Sequence, residues 1–180
     1  MTYPIRIAGA SVTLREFTRD DVDDVLAIIG DDKVTASLSF DSRNRDQAVA
    51  MIEGAIERAH QEPRTEFYLG VTKRDDDSVI GFARIGLSGV QAGKLGYAIA
   101  AKEWGRGYAT DAARTLVTYA FKERGLHRIT AAIGPDNLAS IAVVQQLGFT
   151  REGTLRDHVF TNGAWRDSVL FSVLAHEWSW

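Results

Sequence analysis

The sequence predicts a mixed α/β fold: a largely antiparallel front followed by a βαβ unit in the second half. Two observations carry this. The apolar pattern alternates between the two-residue period of strands and the 3.6-residue period of helices, giving the order β-α-α-β-β-β-α-β-α-β-β. The segment from Lys94 to Ile133 reads as strand, long helix and strand, the signature of a parallel crossover.

The elements follow in order. Ser11 to Arg15 alternates as a half-buried strand does. Thr18-Arg-Asp-Asp21 is a capping-box start, and Val22, Val25, Leu26 and Ile29 follow at helical spacing before Gly30. A second helix is expected from about Arg45 to Gln61, with Val49, Ile52 and Ile56 on one face. Three strands are expected at Phe67 to Thr72, Val79 to Leu87 and Lys94 to Ala100. From Tyr108 the apolar residues Ala109, Ala112, Ala113, Leu116, Val117, Ala120 and Phe121 form a helical stripe that Gly125 ends. Arg128 to Ile133 is strand-like. Asn137 opens a helix closed by Gly148. Two final strands, Phe149 to Phe160 and Trp165 to Leu174, flank the hairpin signal Asn162-Gly163.

With 180 residues, 45% of them hydrophobic, the chain suits one domain over residues 1–180. A net charge of −3 does not point to a nucleic-acid partner. No cysteine is present, which excludes disulfides, thiolate metal sites and a cysteine nucleophile. No apolar run approaches bilayer length, so no membrane partner is expected and the cytoplasm is the default location. Asp75-Asp-Asp77 reads as a solvated turn, and no metal is expected. Trp104, Tyr108, Phe121, Phe149, Phe160 and Phe171 are expected in the core or in loop packing. Trp178 and Trp180 are expected to dock on the sheet or on a second copy.

The most informative segment is Leu95-Gly-Tyr-Ala-Ile-Ala-Ala-Lys-Glu-Trp-Gly-Arg-Gly-Tyr-Ala-Thr110. A strand enters a glycine-bearing loop, and the loop enters a long helix. Gly105 and Gly107 permit unusual backbone angles and close approach, and the following helix aims free N–H groups at the loop. Such a site suits a diphosphate, and Arg106 adds a charge. Tyr108-Ala-Thr110 does not match the Lys-Ser/Thr of a Walker loop, and Thr110 stands where a dinucleotide fingerprint needs Gly or Ala.

Trp104-Gly-Arg-Gly-Tyr-Ala109 resembles the acetyl-CoA loop of the GNAT superfamily. The wider run resembles its ribosomal-protein N-terminal acetyltransferase subfamily: Leu14-Arg15, Gly96-Tyr97, Ala120-Phe121, His127-Arg-Ile129, Asn137-x-x-Ser140, Leu147-Gly-Phe149, Glu152-Gly153, Asn162-Gly163 and Trp165-Arg-Asp167 occur in order. The resemblance implies a sheet splayed between two central parallel strands, flanked by about four helices. It implies acetyl-CoA as co-substrate, with Tyr97, Ala98 and Ile99 offering backbone groups to the acetyl and pantetheine arm. Trp104, Gly105, Arg106, Gly107, Tyr108, Ala109 and Thr110 would hold the diphosphate, and Asn137 the pantetheine amide. A helix N-cap is the equal alternative for Asn137.

The implied reaction is attack of a neutral amine on the thioester. The family's usual tyrosine acid falls at Val144, so Ser140 is the substitute expected to protonate the thiolate. The family's frequent glutamate base falls at Lys94, leaving Glu66, Asp157, His158 and Asp167 as candidates, with Asp167 also readable as an ion pair with Arg166. The acceptor is a protein N-terminal amine or a small-molecule amine. Asp31, Asp32, Glu66 and Asp157 would favour a cationic acceptor, and Arg43 and Arg45 an anionic one. A non-catalytic acyl-CoA-binding module is the alternative function, and a homodimer is the expected assembly.

Overall fold

Eight strands form one sheet. They are β1 (Arg6–Ala8), β2 (Val12–Arg15), β3 (Glu66–Lys73), β4 (Asp76–Leu87), β5 (Ala92–Ile99), β6 (Arg128–Ile133), β7 (Thr150–Thr161) and β8 (Ala164–Leu174), in the order β1-β2-β3-β4-β5-β6-β8-β7. Neighbours are antiparallel except β5 and β6, which run parallel. The helices are α1 (Val22–Ile29), α2 (Asp32–Thr35), α3 (Arg45–Ala59), α4 (Tyr108–Arg124) and α5 (Leu138–Gln146). The computed structural model describes residues 3–180; Met1 and Thr2, which open the expected 1–180 domain, lie outside the described residues. No described helix is long and apolar enough to cross a membrane.

Strand alternation sorts the core into two layers. Phe67, Leu69, Val71, Ile85, Leu95 and Ile99 face α4 and α5, while Phe82 and Ala98 face α1 and α3. In α4, Ala112, Ala113, Leu116 and Val117 are fully buried at 0% exposure, and the alanines let the helix lie close to the sheet. Gly125 ends it at φ 62°. The Asn162-Gly163 turn has φ of 50° and 72°, the positive pair that a tight hairpin requires.

Two elements depart from the expected order. Strand β1 is three residues long and α2 four, too short to show a period. The 75–77 run is not simply solvated: Asp77 accepts from Arg15 Nε at 3.1 Å and pairs with Arg6. Phe121, Phe149 and Phe171 are buried as expected, but Phe160 is 58% exposed and meets Trp165 edge-on at the hairpin tip. Trp178 docks on α4 rather than on the sheet, its ring against Phe121 and its Nε1 donating to Thr118 Oγ1 at 3.0 Å.

Candidate functional site

Strands β5 and β6 pair over only three positions, Ala92 with Arg128, Gly93 with Ile129 and Lys94 with Thr130. Beyond these they part. β5 stays with β4 as far as Ile99, and β6 stays with β8 as far as Ile133. The edges facing each other across the parting therefore have no strand partner. Ala100 N–H donates to Ile80 at 2.8 Å, so the even residues of β5 turn their backbone to β4 and the odd ones to the gap. Leu95, Tyr97 and Ile99 thus face the gap. Ala98, an even residue, turns its N–H and C=O to Phe82. A cleft of about 1560 Å³ follows the parting and continues under the α2–α3 connection.

The glycine loop stands at the end of β5. Gly105 and Gly107 have φ of 75° and 79°, and a Cβ at either would meet no atom within 4 Å. Their requirement is conformational, since the left-handed region disfavours any side chain. Gly107 is the N-cap of α4 and carries no capping side chain. From Gly105 through Arg106, Gly107, Tyr108 and Ala109 to Thr110, no backbone N–H finds a partner among the described residues, whereas Asp111 N–H returns to Gly107 C=O. Consecutive free N–H groups at a helix start form an anion cradle. Trp104 is 53% exposed, and its indole Nε1 donates to Ile99 C=O at 2.7 Å, tying the loop to the strand. Arg106 rests against Glu103 at 3.4 Å, and Glu103 also holds Lys73 at 2.9 Å.

Helix α5 forms the other bank. Asn137 caps it, its Oδ1 accepting from Ser140 N–H at 3.1 Å, and the side chain keeps its NH₂ for another partner. The cap and a ligand contact are thus compatible. Ser140 Oγ has no partner among the described residues, and the Ser140 carbonyl accepts from Tyr97 hydroxyl at 3.2 Å. Burial pushes the Tyr97 pKa up to about 12. Val144 is fully buried, so nothing at that position reaches the cleft.

The candidate bases separate clearly. Glu66 is buried with one carboxylate oxygen on Arg58 and the other on Arg84. Asp167 accepts from Asp157 N–H at 2.9 Å, closing the bulge between Leu155 and Val159. It forms no ion pair with Arg166, whose Nε donates to Thr161 C=O. His158 lines the cleft with Nδ1 at 2.9 Å from Ser168 Oγ, which leaves Nε2 free. Asp31 caps α2 through Lys33 N–H, Asp32 accepts from Ser42, and Arg45 pairs with Asp23. Those charges serve local structure. No sequence pattern marks the Arg58–Glu66–Arg84 cluster, since its members lie on three separate elements.

Known proteins resemble this chain in sequence and in fold. The family model described as the acetyltransferase (GNAT) domain matches residues 11–150. An uncharacterized N-acetyltransferase YoaA of Bacillus subtilis is 30% identical over 89% of this chain and 92% of its own length. The ribosomal protein uS5-alanine N-acetyltransferase of Escherichia coli is 31% identical over 70% of this chain and 66% of its own. Mycobacterium smegmatis RimJ, solved with a CoA-disulfide, superposes with a TM-score of 0.82 at 25% identity, covering 97% of this chain and 87% of that one.

Proposed function

The chain belongs to the GNAT acetyltransferase family and is an acetyltransferase, and we propose that it moves acetyl from acetyl-CoA to the primary amine of a protein N-terminus or a small molecule. The observation that carries this is the unpaired β5 edge beyond Lys94, set beside the free N–H run from Gly105 to Thr110. Bound acetyl-CoA supplies the acetyl group as a thioester. Backbone N–H groups of Gly105 to Thr110 bind the diphosphate, with Trp104 fixing the loop and Arg106 adding charge. The gap-facing Ile99 N–H and the Asn137 NH₂ orient the pantetheine arm. Tyr97 N–H, facing the gap at the level of Ser140, donates to the carbonyl oxygen where negative charge develops. Ser140 Oγ passes a proton to the departing sulfur while taking one from solvent water, and His158 Nε2 accepts the proton of the amine.

The reading extends to a single domain over the whole chain, a cytoplasmic location and a homodimer. The absence of cysteine supports the cytoplasm, and one sheet shared by both core layers supports the single domain.

Thermal melts with acetyl-CoA, CoA and NAD test the binding claim, with Gly107→Glu as control. A ligand at a hundred times its Kd adds about 2.7 kcal/mol. Acetyl-CoA and CoA should raise the wild-type Tm, NAD should not, and Gly107→Glu should lose the shift. Release of free thiol with an amine panel then tests turnover. No shift at saturating acetyl-CoA would sink the proposal.

A further inference from the structure

One end of the cleft carries unbalanced positive charge. Arg58 on α3, Arg84 on β4 and Lys94 on β5 all line it, and the nearest carboxylate is Glu66. Glu66 holds both guanidiniums while itself only 8% exposed, so the two arginines are positioned by one buried anion that offsets one charge. Lys94 pairs with no carboxylate among the described residues. The other lining carboxylates, Asp136 and Asp167, stand on the β6–α5 loop and on β8, across the parting.

Register places these cations beside the reaction centre. Lys94 is in the last parallel pair before β5 and β6 separate. Arg84 pairs with Gly96, which has no side chain, and a Cβ there would meet nothing within 4 Å. The floor between Arg84 and the gap is therefore open. A Cβ on Gly86 would lie 3.2 Å from Arg84 Nη2, so the guanidinium reaches along β4 over Gly86, the cross-strand partner of Lys94. Strands lie about 4.8 Å apart. Arg84 and Lys94 thus lie at neighbouring registers on one face of the sheet and line the same cleft within about one strand spacing of the gap.

Resting on the function proposed above, we infer that Arg84, Lys94 and Arg58 recognise a carboxylate carried a few bonds from the acceptor amine. Planar guanidiniums and an ammonium suit a carboxylate, and they repel a cationic acceptor. The carboxylate is that of a free α-amino acid or the side chain of an acidic residue following a peptide N-terminus. The same cluster gives Lys94 a task other than that of a base.

Steady-state kinetics on matched acceptors test the inference: Ser-Glu-amide, Ser-Gln-amide and Ser-Lys-amide beside free glutamate and glutamine. The Glu peptide should exceed the Gln peptide in kcat/KM by about tenfold, the scale of one charge-assisted pair, and the Lys peptide should be poorest. Equal use of free glutamate and glutamine, both above all the peptides, would assign the anion to the α-carboxylate and also support the inference. Lys94→Gln, which breaks no internal pair, should reduce the preference to about threefold or less. Arg84→Gln should do the same, with its melt read alongside because it also leaves Glu66 short of a partner. Equal rates on all the acceptors, or a preference unchanged in both variants, overturns the inference. If no amine is acetylated, calorimetry with N-acetyl-Ser-Glu-amide and N-acetyl-Ser-Gln-amide on the CoA-loaded protein decides. Tighter binding of the Glu compound that Lys94→Gln abolishes supports the anion site, and equal binding overturns it. Failure of the function itself registers separately, as the absence of thiol release with every amine.

Discussion

The Tyr97 hydroxyl donates to the main-chain carbonyl of Ser140 at 3.2 Å, so a side chain from β5 reaches across the parting to the first turn of α5. That bond joins the two banks of the cleft and fixes the turn that presents Ser140 Oγ. Tyr97→Phe should therefore lower kcat by about threefold to tenfold, the worth of one neutral hydrogen bond. Burial lifts the Tyr97 pKa to about 12, so the phenol stays protonated throughout the working range. Rate–pH profiles of wild type and variant, followed to about pH 10, should then differ in height and agree in shape. A new alkaline limb in either would contradict a positioning role.

Trp104 serves the other end of the same strand. Its indole is bonded to Ile99 C=O while the ring is half exposed, so the bond matters more than burial. Trp104→Phe keeps an aromatic ring and removes the donor. The loop loses its tie to β5, and KM for acetyl-CoA should rise about threefold to tenfold with kcat little changed. A fall in kcat without change in KM would show that the loop does not act through cofactor binding.

Asp111 anchors the helix that carries the cradle. Its carboxylate accepts from Ala10 N–H, Ser11 N–H, Ser11 Oγ and Val12 N–H at 2.7 to 3.1 Å, clamping the β1–β2 turn onto the first turn of α4. Burial pushes its pKa up, but the N–H groups of Ser11 and Ala10, the Ser11 hydroxyl and Val12 N–H together hold it below the usual value. A depressed carboxylate stabilises the fold above its unfolded pKa of about 3.9 and loses that contribution as pH falls through the lower folded value. Asp111→Asn replaces one accepting oxygen with a donor that faces donors, costing about 1–2 kcal/mol at neutral pH, or roughly 2–8 °C in Tm. The gap in Tm between wild type and variant should narrow as pH drops from 6 towards 3. A gap that is constant over that range would mean the ionised clamp is not what is lost.

What could be read in advance follows from how local each signal is. Strand β6 and the end of α4 at Gly125 were legible because the apolar stripe changes period at a glycine. The cradle was legible because Gly105 and Gly107 need a left-handed backbone, which sequence declares by glycine itself. The direction of each backbone group on β5 was not: it depends on the register with β4, which assigns Ile99 to the gap and Ala98 to Phe82. Nor was the Arg58–Glu66–Arg84 cluster, since charged residues on three elements carry no periodic pattern and meet only when α3 packs on β3.

His158 and Ser140 both line the cleft, and pH distinguishes their roles. An α-amine is mostly protonated below its pKa of about 8 and mostly neutral above it. A residue that accepts the amine's proton is needed most at low pH. His158→Gln should cut kcat/KM for the amine by about a hundredfold near pH 7, and the deficit should shrink by about pH 9.5. The sulfur needs its proton whatever the state of the amine, so Ser140→Ala should lower kcat by about tenfold to a hundredfold at both pH values. Val144→Tyr should not restore it, because position 144 is sealed in the core and a larger ring there would overpack it. If the His158→Gln deficit is as large at pH 9.5 as at pH 7, the imidazole positions the acceptor and does not take its proton.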